Sequence, residues 1–477
     1  METAAALTPN PWMILPFGTL LASIALGPLL AEGWWQRHYA KVAYALGAVT
    51  LAYYLLGLRA WEHVLHMAHE YVSFIALIGS LYVVAGGIHL RVKGEATPAV
   101  NTGFLLMGAI IANLLGTTGA SMLLIRPWLR MNHYRLTAHH VVFFIFIVAN
   151  VGGCLTPIGD PPLFLGYLKG IPFWWVAEHC WPMWAVGVGL LLGIFYVLDR
   201  RNYRRAPASV RAQVAEPPDE WHVAGRHNLI FLGVILVAVF IGRPLFLREA
   251  LMVGAAAGSW FGTRKSIHQA NHFNFRPIQE VAILFIGIFA TMMPALDWLQ
   301  ANAATLGKPT PGLFYWACGS LSSVLDNAPT YLSFLSATFG SFVDAGTVQQ
   351  VQHLIPTGGA DLASLTGMHA EEVRQTFLAL QKYHAAELAA GTVATDHIEV
   401  AYLLGNVAYN HYLLAISVAA VFFGACTYIG NGPNFMVKAI AEHQKAHTPT
   451  FLGFVLRFTL PYLLPVLLVV WWLFFRG

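Results

Sequence analysis

A twelve-residue stretch rich in glycine and proline occurs twice in this sequence. The first copy, Gly153 to Phe164, and the second, Gly424 to Phe435, align without a gap and are identical at six of the twelve positions. Each copy directly follows a strongly apolar run. Glycine and proline break helices, and a helix break survives at membrane depth only where the freed backbone lines a protein-enclosed cavity. The two copies therefore predict two broken transmembrane helices that contribute to one binding site.

Composition places most of the chain in lipid. Of its 477 residues, 57% are hydrophobic and 10% are charged, whereas an ordinary soluble domain has about 25% charged residues. The net charge of +4 is spread over loops, so nucleic acid is not an expected partner. Residues 11–31 are long enough to span a bilayer and have no basic segment before them, so we expect this helix to be retained. The four cysteines show no metal-binding spacing, and we expect no cofactor.

Basic residues between the apolar runs set the expected topology. By the positive-inside rule, all the basic clusters of the first half belong on the cytoplasmic side. All of these clusters can be cytoplasmic only if the apolar stretch 103–129 enters and leaves the membrane on the same side. We therefore expect a re-entrant hairpin there, turning at Gly116 to Gly119. The clusters are Arg37 and Lys41, Arg91 and Lys93, Arg130 and Arg135, and the run of Arg200, Arg201, Arg204, Arg205 and Arg211.

The second half repeats this plan in the opposite orientation. The apolar stretch 312–340 carries Ser322 to Thr330 in its middle, which predicts the counterpart hairpin. The stretch 340–397 is rich in acidic residues, which suits an external insertion, and its part 369–389 has an amphipathic helical pattern. The sequence thus predicts an all-α polytopic membrane protein with an inverted-topology repeat, two re-entrant hairpins and two broken transmembrane helices.

Boundaries follow from these runs. The first repeat is predicted at 1–198, with the hairpin 103–129 and a broken helix at 139–168, and a cytoplasmic linker at 199–227. The second repeat is predicted at 228–477, with the hairpin 312–340, the insertion 340–397 and a broken helix at 398–440. The other spans are predicted at 12–31, 42–58, 70–90, 182–198, 228–246, 248–262, 278–299 and 451–475.

Asp160 lies inside the first break. A charged side chain at the bilayer centre costs roughly 2.5–3.5 kcal/mol on insertion scales, so a functional or paired role is expected. The alternative is a helix cap for the half-helix that begins at Pro161. Asn431 occupies the same place in the second copy, so the two breaks carry one negative charge.

The hairpin turns supply further oxygen ligands. Asp326 and Asn327 with the hydroxyl of Ser322 form a hard-oxygen set of the kind that replaces water around sodium. Alternatively, an Asx-Pro sequence is simply a turn former. In the first hairpin, Thr117 and Thr118 either bind a cation or a carboxylate, or satisfy the backbone of the turn.

Two other polar positions in the first half are candidates. Arg126 has three alternatives: pairing with an anionic substrate, pairing with Asp160, or extending to the cytoplasmic surface near Trp128, which we favour. Asn150, shortly before the first break, is a candidate of lower weight.

The segments Asn150 to Asp160 and Ser322 to Asn327 resemble motifs of the ion transporter superfamily, in particular of bacterial NhaD-type sodium/proton antiporters and the related citrate-transporter-like proteins. The resemblance implies a homodimer in which a scaffold stays fixed while a transport domain, holding both hairpins and both breaks, moves like an elevator. Residue by residue, it implies binding roles for Asn150, Thr156, Asp160, Ser322, Asp326, Asn327 and Thr427.

The first hairpin departs from that pattern. NhaD-type proteins carry a Ser…Asp-Asn signature in both hairpins, whereas this sequence has Gly116-Thr-Thr-Gly-Ala-Ser121 in the first. The departure keeps open the carboxylate-transporting branch, whose members bind a dicarboxylate or citrate between the hairpin tips with sodium on either side.

Three functions are compatible with these features to different degrees. Sodium/proton antiport is preferred, with Asp160, Asp326 and Asn327 as sodium ligands, because no basic residue is clearly placed at the site. The alternative is sodium-coupled uptake of citrate or a dicarboxylate, which needs a cation or half-helix amino termini to hold the anion. A membrane enzyme is disfavoured because no nucleophile–base pair or HExxH motif is present. The expected location is a bacterial-type plasma membrane, crossed several times.

Overall fold

The protein is almost entirely helical in a computed structural model. The structure describes residues 9–91, 96–207, 222–307, 309–360, 362, 365–367 and 369–476. Within these residues, eight helices are long and apolar enough to cross a membrane. Two short strands, His89–Arg91 and His222–Ala224, pair in antiparallel fashion with Leu90 opposite Val223. The predicted class, an all-α polytopic membrane protein, is confirmed.

The first half begins with a 3-10 turn, Pro11–Ile14, and its second helix continues into a π-helical turn, Tyr53–Gly57. Its α-helices are α1 (Leu15–Leu30), α2 (Glu32–Ala52), α3 (Trp61–Gly86), α4 (Pro98–Met131), α5 (Ala138–Ile147), α6 (Pro161–Leu168) and α7 (Phe173–Arg205).

Three of these helices are longer than the apolar runs predict. Helix α2 begins at Glu32 rather than at residue 42, α3 begins at Trp61 rather than at residue 70, and α7 spans Phe173–Arg205 rather than 182–198. Polar side chains such as Arg37 and His66 interrupt the apolar pattern but lie on exposed faces. Long charged side chains can extend toward water without ending a helix, so the hydropathy boundary underestimates these elements.

Helix α4 consists of two arms that lie side by side. Gly116 has φ 71° and ψ 157°, a conformation that glycine adopts easily and that ends the first arm. The Asn101 Nδ2 atom donates to Asn132 Oδ1 at 2.7 Å. In a straight helix these residues would be about 46 Å apart. The chain therefore reverses at Gly116 and returns to its starting end.

The two repeated stretches have the same local form. Between α5 and α6 only the 3-10 turn Val151–Gly153 is helical, and α6 begins at Pro161. Glycines close each break: a Cβ atom on Gly159 would lie 2.1 Å from the Gly153 carbonyl oxygen, and one on Gly430 would lie 2.7 Å from that of Gly424. The shared glycines thus allow a backbone approach that no larger residue permits.

The second half contains the remaining helices. They are α8 (Asn228–Ala238), α9 (Leu247–Gly262), α10 (Lys265–Ala270), α11 (Arg276–Asn302), α12 (Pro311–Ser322), α13 (Asn327–Phe342), α14 (Ala345–Leu354), α15 (Ala370–Tyr383), α16 (Ala385–Ala389), α17 (Thr395–Gly405), α18 (Val407–Phe423), α19 (Gly432–His443), α20 (Phe451–Phe454) and α21 (Leu464–Phe474), with a 3-10 turn at Ala303–Leu306, another at Gly424–Cys426 and a π-helical segment at Val455–Leu463.

Two helices in this region differ in length from the predicted spans. The span predicted at 228–246 ends at Ala238, ahead of Gly242 and Pro244, residues that disfavour helix. The first residues of the predicted linker 199–227 belong to α7, whose last turn carries Arg204 and Arg205. Basic side chains stabilise the carboxyl end of a helix. Residues 208–221 of that linker lie outside the described residues.

Helices α12 and α13 also lie side by side, joined by a short turn. The rings of Phe314 in α12 and Phe334 in α13 have centroids 5.6 Å apart. Asp326 begins α13 by accepting a hydrogen bond from the Ala328 backbone N–H at 3.0 Å.

The stretch 340–397 forms a small helical unit with its own apolar cluster. Buried side chains of α14, α15 and α17, among them Val351, Phe377 and Ile398, pack together. The amphipathic segment predicted at 369–389 is present as α15 and α16.

Candidate functional site

Asp160 is the centre of the candidate site. It precedes α6 with extended backbone angles, and its side chain makes no capping hydrogen bond to that helix. The residue is 1% exposed. Its carboxylate is therefore available to partners from other elements rather than engaged as the simple helix cap considered above.

Three side chains donate to this carboxylate. Thr117 Oγ1 donates to Oδ1 at 2.7 Å, Asn431 Nδ2 donates to Oδ1 at 2.9 Å, and Asn327 Nδ2 donates to Oδ2 at 2.5 Å. These donors come from the α4 turn, the second break and the start of α13. Hydrogen bonds to a charged group contribute about 1.5–3 kcal/mol each, so one carboxylate joins four interruptions of regular helix.

A second layer of asparagines extends this network. Asn150 Nδ2 donates to Asn434 Oδ1 at 2.7 Å, and Asn431 Nδ2 donates to Asn150 Oδ1 at 3.1 Å. Asn434 in turn donates to the carbonyls of Gly424 and Thr427, at 2.8 Å each. Asn434 is not among the predicted site residues. One sequence feature points to Asn434: it is a polar amide in the half-helix after the second break, where the first copy has the apolar Leu163.

The predicted threonines attach the first break to α4 and the second break to the turn between α12 and α13. Thr156 Oγ1 donates to the carbonyl of Asn113, and Thr427 Oγ1 donates to that of Ser323, both at 2.6 Å. Each hydroxyl also accepts a backbone N–H at 3.1 Å, from Gly159 and Gly430 respectively. Both hydroxyls are thus engaged by backbone.

Two more hydrogen bonds connect α4 and α12 to neighbouring elements. Asn113, which the sequence analysis did not select, receives the Leu155 N–H on Oδ1 at 2.8 Å. Ser322 Oγ donates to the Ala420 carbonyl at 2.7 Å. The Ser322 hydroxyl therefore faces α18 in this conformation.

Among the described residues, Asp326 makes no side-chain hydrogen bond to the Asp160 network. Its Oδ1 atom caps α13, and the residue is only partly buried. No described side chain donates to its other carboxylate oxygen. Asn327, the next residue, is buried and points to Asp160, so adjacent members of the predicted sodium set face different surroundings.

A small cavity adjoins Asp160. Its volume is about 20 Å³, and Thr117, Thr118, Gly116 and Gly159 are among its lining residues. That volume is sufficient for one water-sized species. Of the residues lining it, Asp160 is the only charged one.

Four helical segments begin at this site. They start at residues 117, 161, 327 and 432. The amino terminus of a helix carries about half a positive charge. These ends favour negative charge, either that of Asp160 or that of a bound anion, as half-helices do in transporter sites.

Arg126 does not take part. Its guanidinium donates to the Met122 carbonyl at 3.4 Å, and the residue is buried rather than extended to the surface. No acidic side chain among the described residues forms an ion pair with it. The favoured prediction of a surface position is therefore wrong, because the second arm of α4 is enclosed by neighbouring helices along its length.

Comparison with known proteins gives one result over nearly the whole length. A family model described as putative citrate transport matches residues 6–475. No curated protein matches the chain.

Proposed function

Since the chain belongs to the family described as putative citrate transport, we propose that it carries citrate or a related carboxylate across the membrane together with a cation. Membership of this family indicates a secondary transporter and not an enzyme. The eight candidate spans among the described residues are those of a multi-pass membrane protein. The family thus gives the class of protein, and the carboxylate substrate and the coupling cation are our proposal.

The observation that carries the proposal is the single acidic side chain beside an ion-sized cavity. Asp160 is the only charged residue lining that cavity. Asn327 Oδ1 is also buried, and no described group donates to it. A carboxylate and a free amide oxygen are suitable ligands for a hard cation such as sodium.

Charge explains why a carboxylate substrate would need this cation. Two unit charges of like sign 4 Å apart repel by about 4 kcal/mol at an effective dielectric constant of 20. A cation held at Asp160 removes that repulsion, and the four helix amino termini then favour the substrate's negative charge. Binding of the cation would thus strengthen binding of the carboxylate, and the reverse. The two would then cross the membrane together, which is symport.

Sodium/proton antiport is the second candidate, and the same carboxylate favours it. A proton and a sodium ion that use the same oxygens exclude one another, and this exclusion couples their movement in opposite directions. Asp160 provides such oxygens without an ion-paired basic partner among the described residues.

The inverted repeat and the two re-entrant hairpins are part of the proposal. Equivalent contacts support them: Thr156 bonds to Asn113 as Thr427 bonds to Ser323. The two arms of α4 and the pair α12–α13 are the proposed hairpins. The proposed divisions remain 1–198, 199–227 and 228–477, with 340–397 outside the cell.

An elevator movement of a homodimer in a bacterial-type plasma membrane completes the proposal. The hairpins and breaks share the hydrogen-bonded centre at Asp160, which supports their moving as one unit. The helices α2, α3, α9 and α11 would be the fixed scaffold at the dimer centre. Helix α11 packs against α2 and α3, and α9 packs against α3.

Transport by the purified protein in liposomes tests this function. Labelled citrate uptake is measured under an inward sodium gradient, an inward proton gradient or neither, with a pH dye inside a parallel set of vesicles. Citrate accumulation that requires a cation gradient supports symport. Sodium-driven pH change without citrate uptake would decide for antiport. Asp160→Asn should abolish either activity, whereas Glu371→Gln, at an exposed acid of α15, should not.

A further inference from the structure

Two histidines and a glutamate converge in the insertion, away from Asp160. His384 immediately precedes α16, Glu387 lies within α16, and His397 lies in the first turn of α17. The His397 Nδ1 atom is 2.6 Å from Glu387 Oε2, and His384 Nδ1 is 3.8 Å from the same oxygen. The two imidazole rings stack with their centroids 4.7 Å apart.

The tautomer of His384 follows from its other nitrogen. His384 Nε2 lies 3.0 Å from the carbonyl oxygen of Gly170. A carbonyl can only accept, so Nε2 carries the proton and the neutral ring has a lone pair on Nδ1. That lone pair faces the Glu387 carboxylate. Two electron-pair donors thus face each other, an arrangement that a bound cation stabilises.

The spacing of the ligand atoms is close to that of a metal site. One ligand atom from each of the three residues lies within 4.8 Å of the others. Tetrahedral zinc with bonds of about 2.0–2.1 Å places its ligands about 3.3 Å apart, so small side-chain rotations are sufficient. The Glu387 side chain is 35% exposed, which leaves a path for entry and a position for water.

Two other clusters of histidine and acidic side chains are already neutralised by a basic side chain. Asp199, near His139 and His140, is paired with Arg135 through both carboxylate oxygens. Glu70 and Asp396, near His66, each lie 2.9 Å from the Lys169 ammonium. Glu387 has no such ion pair with a lysine or arginine among the described residues, and Arg243, which acts on it from a distance, is exposed.

We propose that His384, Glu387 and His397 bind a divalent transition-metal ion, with zinc favoured by the two nitrogen ligands and one oxygen ligand. The Gly170 carbonyl orients His384 for this role, as hydrogen bonds to metal-binding histidines commonly do. The ion would join α16 to α17 and, through Gly170, to the end of α6. This site does not depend on which solute the protein transports.

Calorimetric titration of the full-length protein with zinc tests the site. The protein is purified without a polyhistidine tag, treated with a chelator and returned to chelator-free buffer. We expect one zinc ion per chain. His397→Ala and Glu387→Gln should each weaken binding at least tenfold, whereas His353→Ala, which removes an exposed histidine of α14, should bind as the wild type does.

Cobalt provides a measurement that needs no variant. Cobalt bound by two nitrogens, a carboxylate and water should give visible absorption bands typical of low coordination number, and zinc should abolish them. The absence of a stoichiometric zinc site in the wild type would overturn the proposal. Equal zinc binding by wild type and by the two ligand variants, each confirmed as folded by its circular dichroism, would overturn it as well.

Discussion

The Nδ2 atom of Asn327 lies 2.5 Å from Oδ2 of Asp160, although 167 positions separate the two residues in sequence. This bond joins the start of α13 to the break before α6. The other oxygen of the same carboxylate accepts from Thr117 and Asn431. One negative charge therefore fixes the relative positions of elements from both halves of the chain.

Asn327→Ala should weaken both folding and transport. The substitution leaves a buried carboxylate oxygen without its donor, at a cost of about 1–3 kcal/mol. We expect a lower thermal unfolding temperature in detergent and reduced citrate uptake in liposomes. Asn302→Ala is the control, since Asn302 donates to the Trp298 carbonyl at the end of α11, away from the site. Wild-type uptake by Asn327→Ala would show that this bond is not needed.

The repeated stretch is the sequence feature that singles out Asp160 and Asn431. Glycine, proline and one buried acid in two matching copies indicate breaks that share a cavity, and the structure does join Asp160 to Asn431. Asn113 and Asn434 were not predictable in this way. Each satisfies backbone groups of an element far away in sequence, and no local pattern records such a partner.

Helix ends are also poorly predicted by the apolar runs. Residues such as Arg37 and His66 interrupt the apolar runs but remain on exposed helix faces. Hydropathy reports how readily side chains are buried in lipid and not whether the backbone is hydrogen-bonded as a helix. A boundary taken from hydropathy therefore falls where the side chains reach water, although the helix continues. Arg126 shows the opposite error, because a charged side chain was placed at the surface although its helix arm is enclosed.

Gly116→Ala should destabilise the turn of α4. Its φ of 71° is strained for residues with a side chain, and the added Cβ would lie 3.2 Å from the Ile158 carbonyl oxygen. Such strain costs of order 1–3 kcal/mol. Gly103→Ala in the same helix is the control: its Cβ would have no atom within 4 Å, and alanine favours helix by roughly 0.5–1 kcal/mol. Thermal unfolding should separate the two variants in opposite directions.

Lys169→Met should destabilise the protein in a pH-dependent way. The variant leaves Glu70 buried without its cation, and breaking a buried pair costs about 3–5 kcal/mol. Burial alone would raise the pKa of Asp396, but the Lys169 ammonium holds it below its ordinary value. Burial alone would lower the pKa of Lys169, but Asp396 and Glu70 raise it.

The signs of these shifts define the pH window. The lowered pKa of Asp396 gives stability that is present above its ordinary value of about 3.9 and is lost as pH falls through the lower folded value. The raised pKa of Lys169 gives stability that is complete below about 10.4. The difference in unfolding temperature between wild type and Lys169→Met should thus be constant from about pH 5 to 9 and shrink in acid. Lys382→Met, at an exposed lysine, should show no such difference.

Cysteine labelling tests the proposed topology with little background, because Cys154, Cys180, Cys318 and Cys426 are all buried. Arg204→Cys and Ala360→Cys introduce exposed thiols at the end of α7 and in the insertion. A membrane-impermeant maleimide should label position 360 in intact cells and position 204 only after permeabilisation. Labelling of both positions in intact cells would contradict the inverted arrangement.

Asp326→Asn separates two roles of one residue. Asp326 caps α13 through the Ala328 N–H, and asparagine caps a helix as well as aspartate does. The variant should therefore unfold at the wild-type temperature, whereas Asp326→Ala should lose about 1 kcal/mol. If the charge binds a coupling cation, as predicted, sodium-driven citrate uptake by Asp326→Asn should fall at least tenfold.

Asp344→Asn is the matched control, because Asp344 caps α14 through the Thr347 N–H at 2.7 Å and lies in the insertion. Wild-type uptake by Asp326→Asn would mean that Asp326 acts only as a helix cap, and that Asp160 and Asn327 bind the cation without it.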